Sequence, residues 1–197
     1  MRAFGVRLCS LYALRYDGRT WASAPLPDVM ADDASALSPR DLWVVGSTGS
    51  GLDFSASHWN GRAWDLVTPM RLSPGAQAVP DLVDAVAPDD VWAVTTIDPP
   101  GDNGPLRIGI AHWNGHTWQP VTYPYGALDG TDPLALALAP DGTGGIWLAV
   151  QQHWLAHEHN GRWTLSSTPF MIQALAWIPG TRSVWAAGSG GILKYGP

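Results

Sequence analysis

The chain is poor in the residues that build exposed helices. Its 197 residues hold one Lys (Lys194) and one Glu (Glu158) against ten Arg and sixteen Asp. Glycine (22) and proline (17), which interrupt helices and punctuate turns, make up about a fifth of it. An all-helical protein is excluded, and helix below about 10% is expected, against roughly 30–35% in soluble proteins. The single cysteine, Cys9, cannot form an intramolecular disulfide, so cysteine use assigns no compartment. With a net charge of −6 and scattered Arg, there is no basic stripe to neutralise a phosphate backbone, which argues against nucleic acid. No apolar run approaches the roughly 18 residues of a membrane span. The opening MRAFGVRLCSLYALR, broken by Arg7 and Arg15, offers no signal-peptide core, so the chain reads as soluble, cytoplasmic, or extracellular if the N-terminus is truncated. No GxSxG, Walker or dinucleotide fingerprint occurs, and no cofactor is expected.

What is present is repetition. A phrase recurs as RYDGRTW (15–21), HWNGRAW (58–64), HWNGHTW (112–118) and the shortened EHNGRW (158–163), with a clipped KYGP at 194–197. Its glycines, Gly18, Gly61, Gly115, Gly161 and Gly196, fall 43, 54, 46 and 35 residues apart, the period of propeller blades with insertions in loops. Between the copies lies a second phrase: ALSPRDLWVVG (36–46), AVAPDDVWAVT (85–95), ALAPDGTGGIWLAV (137–150) and AWIPGTRSVWAAG (176–188). Asn-Gly or Asp-Gly between apolar segments marks a tight hairpin with positive φ at both central residues, and the Pro-Asp turns close a second hairpin. One unit therefore reads as four strands, for example Leu82–Ala87, Val91–Thr95, Ile108–Trp113 and Thr117–Thr122. Trp43, Trp92, Trp147 and Trp185 share one repeated position and Trp21, Trp64, Trp118 and Trp163 another, with Trp59 and Trp113 at a third, so these rings are expected in the core.

The fold class that follows is all-β: a β-propeller of four-stranded antiparallel blades over 1–197 as a single domain. About five units are expected, the first and last incomplete, with Arg2–Val6 as a strand and full blades near 35–66, 82–121 and 134–165. A compact four-bladed ring, or a fragment of a six- to eight-bladed one, is the alternative. The incomplete ends would either close the ring, by pairing Leu11–Arg15 with Ile192–Tyr195, or self-associate through the same edge strands.

At RYDGRTW and the HWNGxxW phrases the chain resembles the Asp-box, or BNR-type, repeats of bacterial propellers, among them sialidase-like and photosystem II assembly-factor-like proteins. Asp17, Gly18, Thr20 and Trp21 stand at the box positions; the chain departs from the pattern in lacking a residue between Asp and Gly and in using Asn60, Asn114 and Asn160. The resemblance implies the fold and leaves activity open.

A sialidase-like glycoside hydrolase would need converging arginines, a Tyr with a Glu partner and an Asp acid. Here Glu158 lies inside a repeat phrase, Arg15, Arg19, Arg62 and Arg162 lie at hairpin ends, and Asp41, Asp89, Asp90 and Asp141 read as turn residues. His153, His157 and His159 share strand parity and are a candidate metal-chelating set, although no metal site is expected. The function expected is a non-catalytic binding or interaction scaffold, with the hydrolase and a purely structural self-associating repeat protein as alternatives. Recognition would fall to the long unrepeated connections 68–81, 95–107 and 122–133, which carry Met70, Arg71, Asp98, Asp102, Asn103, Arg107, Tyr123, Tyr125, Asp129 and Asp132. Their mixture of aromatic and charged groups suits a protein segment or a glycan.

Overall fold

The computed structural model describes residues 12–16, 18–26, 29–48, 54–102, 104–151 and 153–196. Arg2–Val6, Cys9 and Asn103 lie outside these residues. Among the described residues every regular element is a strand except one 3-10 turn at Pro100–Asp102. Its first sheet is a hairpin of β1 (Tyr12–Tyr16) and β2 (Trp21–Pro25). Three four-stranded sheets follow: β3 (Val29–Ser38), β4 (Asp41–Thr48), β5 (Ser55–Trp59) and β6 (Trp64–Val67); β7 (Gln77–Ala87), β8 (Asp90–Asp98), β9 (Arg107–Trp113) and β10 (Trp118–Val121); β11 (Ala135–Pro140), β12 (Ile146–Val150), β13 (Trp154–His159) and β14 (Arg162–Ser167). A three-stranded sheet of β15 (Ile172–Trp177), β16 (Val184–Gly188) and β17 (Gly191–Tyr195) ends the series. Within every sheet each strand pairs antiparallel with its neighbour in sequence, which makes the sheets blades of a β-propeller.

The blades begin earlier than the apolar pattern suggests, at Val29 and Gln77. Register shifts between Ala31 and Asp33 and between Ala78 and Asp81 explain the difference. A bulge breaks the two-residue alternation by which a strand is recognised, so the segment before it looks like loop. The turns also differ in part from expectation. Of the outer blade turns among the described residues, only Asn160-Gly161 is a two-residue turn with φ positive at both positions, +53° and +75°. In the two preceding blades four residues separate the paired Trp59 and Trp64, and Trp113 and Trp118. There Asn60 Oδ1 accepts the Arg62 and Ala63 amides at 3.0 Å each, and Asn114 Oδ1 accepts those of His116 and Thr117 at 3.1 and 3.0 Å. Only the glycines after them, Gly61 (+88°) and Gly115 (+89°), need positive φ. A Cβ at Gly61 would fall 2.8 Å from Arg40 Cβ, and one at Gly115 2.9 Å from Asp89 Cβ, so each outer turn rests on the inner turn of its own blade.

The core lies between blades. Trp43, Val45, Phe54 and Ala56 of the first full blade meet Val83, Val91 and Ala93 of the second. Trp92, Val94 and Ile110 of the second meet Ile146, Leu148 and Ala156 of the third. Ala137, Trp147 and Leu155 of the third meet Ile172, Val184 and Ala186 of the last. The innermost strands β3, β7, β11 and β15 surround one open cavity of about 390 Å³. Polar side chains join the first two: Asp33 Oδ2 accepts the Val83 amide and Ser35 Oγ the Ala85 amide, both at 3.0 Å.

A polar latch recurs in each four-stranded blade. His58, His112 and His157 stand directly across from Trp43, Trp92 and Trp147 and stack on their indoles, with ring centres 4.2, 4.2 and 3.9 Å apart. Each Nε2 meets an Asp of the inner turn: Asp41 at 2.9 Å, Asp90 at 2.8 Å and Asp141 at 3.0 Å. The last blade has Lys194 opposite Trp185 instead.

Among the described residues the expected pairing of Leu11–Arg15 with Ile192–Tyr195 is not seen. Among the described residues β1 pairs with β2 alone and β17 with β16 alone.

Candidate functional site

Because the strands of each blade alternate in direction, the β6–β7, β8–β9 and β10–β11 connections all leave the end opposite the Asn-Gly turns. They span 68–76, 99–106 and 122–134; residues 77–81, 95–98 and 107, expected in loops, belong to strands. Three of the expected recognition residues, Met70, Arg71 and Arg107, come together on this rim. Arg71 and Arg107 are walls of one open cleft of about 340 Å³, whose remaining lining includes Met70, Leu72, Ile97, Pro99 and Pro100. Both guanidinium groups are exposed, and among the described residues neither has a carboxylate within ion-pair distance. Ile97 and Met70 of this lining pack closely over Gly109, where a Cβ would fall 2.7 Å from Ile97 Cδ1 and 3.2 Å from the Met70 sulfur. Asp98 ends β8 and is exposed, and Asp102 closes the 3-10 turn.

A second cluster adjoins the first through Asp132, whose Oδ2 accepts the Leu106 amide at 3.3 Å and so ties the 122–134 connection to the 99–106 one. Asp129 and Gly130, both at positive φ, form a tight turn closed by two 2.9 Å bonds between Leu128 and Thr131. That turn presents Asp129 to the Trp154 indole N–H, which donates at 3.2 Å, and to His153 at 3.8 Å. Trp154 stands outside the repeat pattern, which was its one signal in the sequence. Tyr123 does not project from the rim. It packs into the interface between the second and third full blades, edge-on to Trp163 with ring centres 5.2 Å apart and to Tyr125 at 5.4 Å. Burial, together with Tyr125, pushes its phenol well above the ordinary range, and the buried hydroxyl has no hydrogen-bond partner among the described residues.

The three histidines of HWLAHEH do not form one set. His153 precedes β13, while His157 and His159 share Asp141 Oδ2 at 3.0 Å each. Among the described residues no group of three His, Cys, Asp or Glu is arranged to hold a metal ion. Asp141 is buried and fully engaged: its Oδ1 accepts the Thr143 amide (2.7 Å), the Thr143 hydroxyl (2.9 Å) and the Gly145 amide (2.9 Å). Burial alone would raise its pKa; the Gly145 amide, His157 and Thr143 outweigh it and hold the carboxyl at about 2. The single glutamate, Glu158, is buried in β13 and accepts the Gly161 amide at 2.6 Å, a turn-closing role.

No helix among the described residues is long and apolar enough to cross a membrane. No family model matches the chain, and no curated protein does. Among solved structures it is similar to YCF48 from Cyanidioschyzon merolae, at 18% identity and a TM-score of 0.49 over 86% of this chain and 54% of that one. It is also similar to a structure described as YCF48 bound to D1 peptide, at 16% identity and a TM-score of 0.38 over 94% of this chain and 72% of that one. The chain thus spans about half the length of the Cyanidioschyzon merolae protein that it matches.

Proposed function

We propose that this chain is a non-catalytic binding propeller, a single domain built of Asp-box-like repeats, and that its rim cleft takes a protein segment carrying an acidic group beside an apolar side chain. The observation that carries this reading is the pair Arg71 and Arg107 on the walls of a cleft lined between them by Met70, Leu72 and Ile97. A guanidinium presents a planar fork of donors that matches a carboxylate, and an exposed one without an internal carboxylate is available to an external one. The apolar lining between the arginines suits the side chain next to that carboxylate. No Trp, Tyr or Phe lines the cleft, whereas a glycan would be expected to stack on one. A hydrolase is disfavoured by the engagement of the acids: Asp41, Asp90 and Asp141 hold histidines and Glu158 closes a turn.

The test is a screen of the purified chain against arrays of random peptides, glycans and fluorogenic glycosides. Enrichment of peptides with Asp, Glu or a free C-terminus next to an apolar residue, lost in R71A/R107A, is the expected result. Turnover of a glycoside, or glycan binding indifferent to both arginines, would overturn the reading.

A further inference from the structure

Met70, Arg71 and Leu72 wall two clefts. One is the cleft already described, which opens toward Ile97, Pro99 and Arg107 of the second full blade. The other, of about 290 Å³, opens toward Phe54, Leu66 and Thr68 of the first. Phe54, just before β5, is fully buried, and Thr68, just after β6, is exposed. Leu66, paired with Ser57 across the outermost strand of that blade, is 55% exposed, a large apolar side chain left in water at the cleft. Arg71 therefore stands between two partly apolar hollows, and its guanidinium is exposed.

An ion pair in water adds little affinity by itself, so most of the binding energy at such a place must come from apolar side chains that leave water. A carboxylate on Arg71 brings the residues around it within reach of both hollows, because alternate residues of an extended segment share a face about 6.6 Å apart. A segment that passes through can fill both. A segment whose carboxylate is its own C-terminus stops at Arg71 and can fill only one.

We propose, on the reading of the rim cleft given above, that the bound segment crosses Met70–Leu72 instead of ending there. It carries an internal Asp or Glu on Arg71, with one apolar side chain within two residues before the acid and another within two residues after it, one in each cleft. The two arginines select the charge, and the paired hollows select the flanking residues and reject a chain end.

Fluorescence anisotropy on the full chain tests this with labelled peptides capped at both ends. GSLAEALSG carries a leucine on each side of the glutamate, and GSLAEASSG and GSSAEALSG carry one each. A fourth probe, acetylated GSGSLAL with a free C-terminus, has its only carboxylate at the chain end. The two-sided probe should bind at least about tenfold more tightly than each of the others. L66S, which falls on an exposed side chain and should leave the melting temperature unchanged, should bring the two-sided probe down to the level of a one-sided one. R71A/R107A should abolish binding of all four. Equal affinity of the one- and two-sided probes, tightest binding of the free C-terminus, or a two-sided advantage that survives L66S would overturn this proposal; if binding still needed the arginines, the rim-cleft reading would stand. Binding indifferent to both arginines, or no binding of any probe, would overturn that reading and this proposal with it.

Discussion

His157 lies flat on the indole of Trp147, with ring centres 3.9 Å apart and planes within 6°, while its Nε2 reaches the buried carboxylate of Asp141. The same three residue types meet in the same way at Asp41, His58 and Trp43 and at Asp90, His112 and Trp92. The histidine reaches over from the neighbouring strand to cover one face of the tryptophan, and the Asp holds the ring that covers it.

Asp90 should therefore matter where its neighbour does not. It accepts both the Trp92 indole N–H at 3.0 Å and a His112 contact at 2.8 Å, whereas Asp89 is exposed in the same turn. Asp90→Ala should destabilise by about 1–3 kcal/mol through the orphaned donors, and Asp89→Ala by less than about 0.5 kcal/mol. Urea titrations of both variants check this.

Truncation of the repeated tryptophans should follow their burial. Trp92→Ala removes a ring from the core between two blades and should cost about 3–5 kcal/mol. Trp154→Ala, which loses the Asp129 bond and a half-buried ring, should be milder. Equal losses at both positions would show that the repeated position has no special packing role.

Burial raises the Asp84 carboxyl from its ordinary 3.8 to about 6; the Ser35 hydroxyl and Ala85 amide oppose the rise, and Asp33 and Asp90 add to it. The folded chain thus binds a proton there more tightly than the unfolded chain. The associated stability is full below about pH 4 and is lost as pH rises through about 6. Asp84→Asn, which keeps an acceptor for Ser35, should be more stable than wild type by about 1–3 kcal/mol at neutral pH, the gain vanishing near pH 4. Thermal melts at the two pH values decide it.

Asp141 has the opposite sign. Its carboxyl is held at about 2 against an ordinary 3.8, so its contribution is present above about pH 4 and disappears as pH falls toward 2. Wild type should lose stability across that interval more steeply than Asp141→Asn, which is weakened already at neutral pH. Parallel acid titrations by tryptophan fluorescence would reveal the difference.

Much of the architecture is legible in the sequence because each blade repeats its chemistry: Asn60 and Asn114 cap the outer turns, and Trp43, Trp92 and Trp147 fill the gaps between blades. The histidine latch is legible only after folding, since His58 and Trp43 stand 15 residues apart and meet through strand pairing. The rim is less legible for a different reason. An unrepeated residue carries no internal comparison, so Tyr123 looks like Tyr125 until the structure shows it wedged against Trp163. Arg71 and Arg107 are 36 positions apart and share a cleft because two connections leave the same end of adjacent strands, a relation in which side-chain pattern plays no part.

The division between repeated residues that hold the fold and unrepeated residues that bind is tested most directly on one variant. The affinity of an array-selected acidic peptide and the melting temperature should be measured together for wild type and R71A/R107A. The account predicts at least a tenfold loss of affinity, about 1.4 kcal/mol or more, with an unchanged melting temperature. Undiminished affinity in the double variant would contradict it.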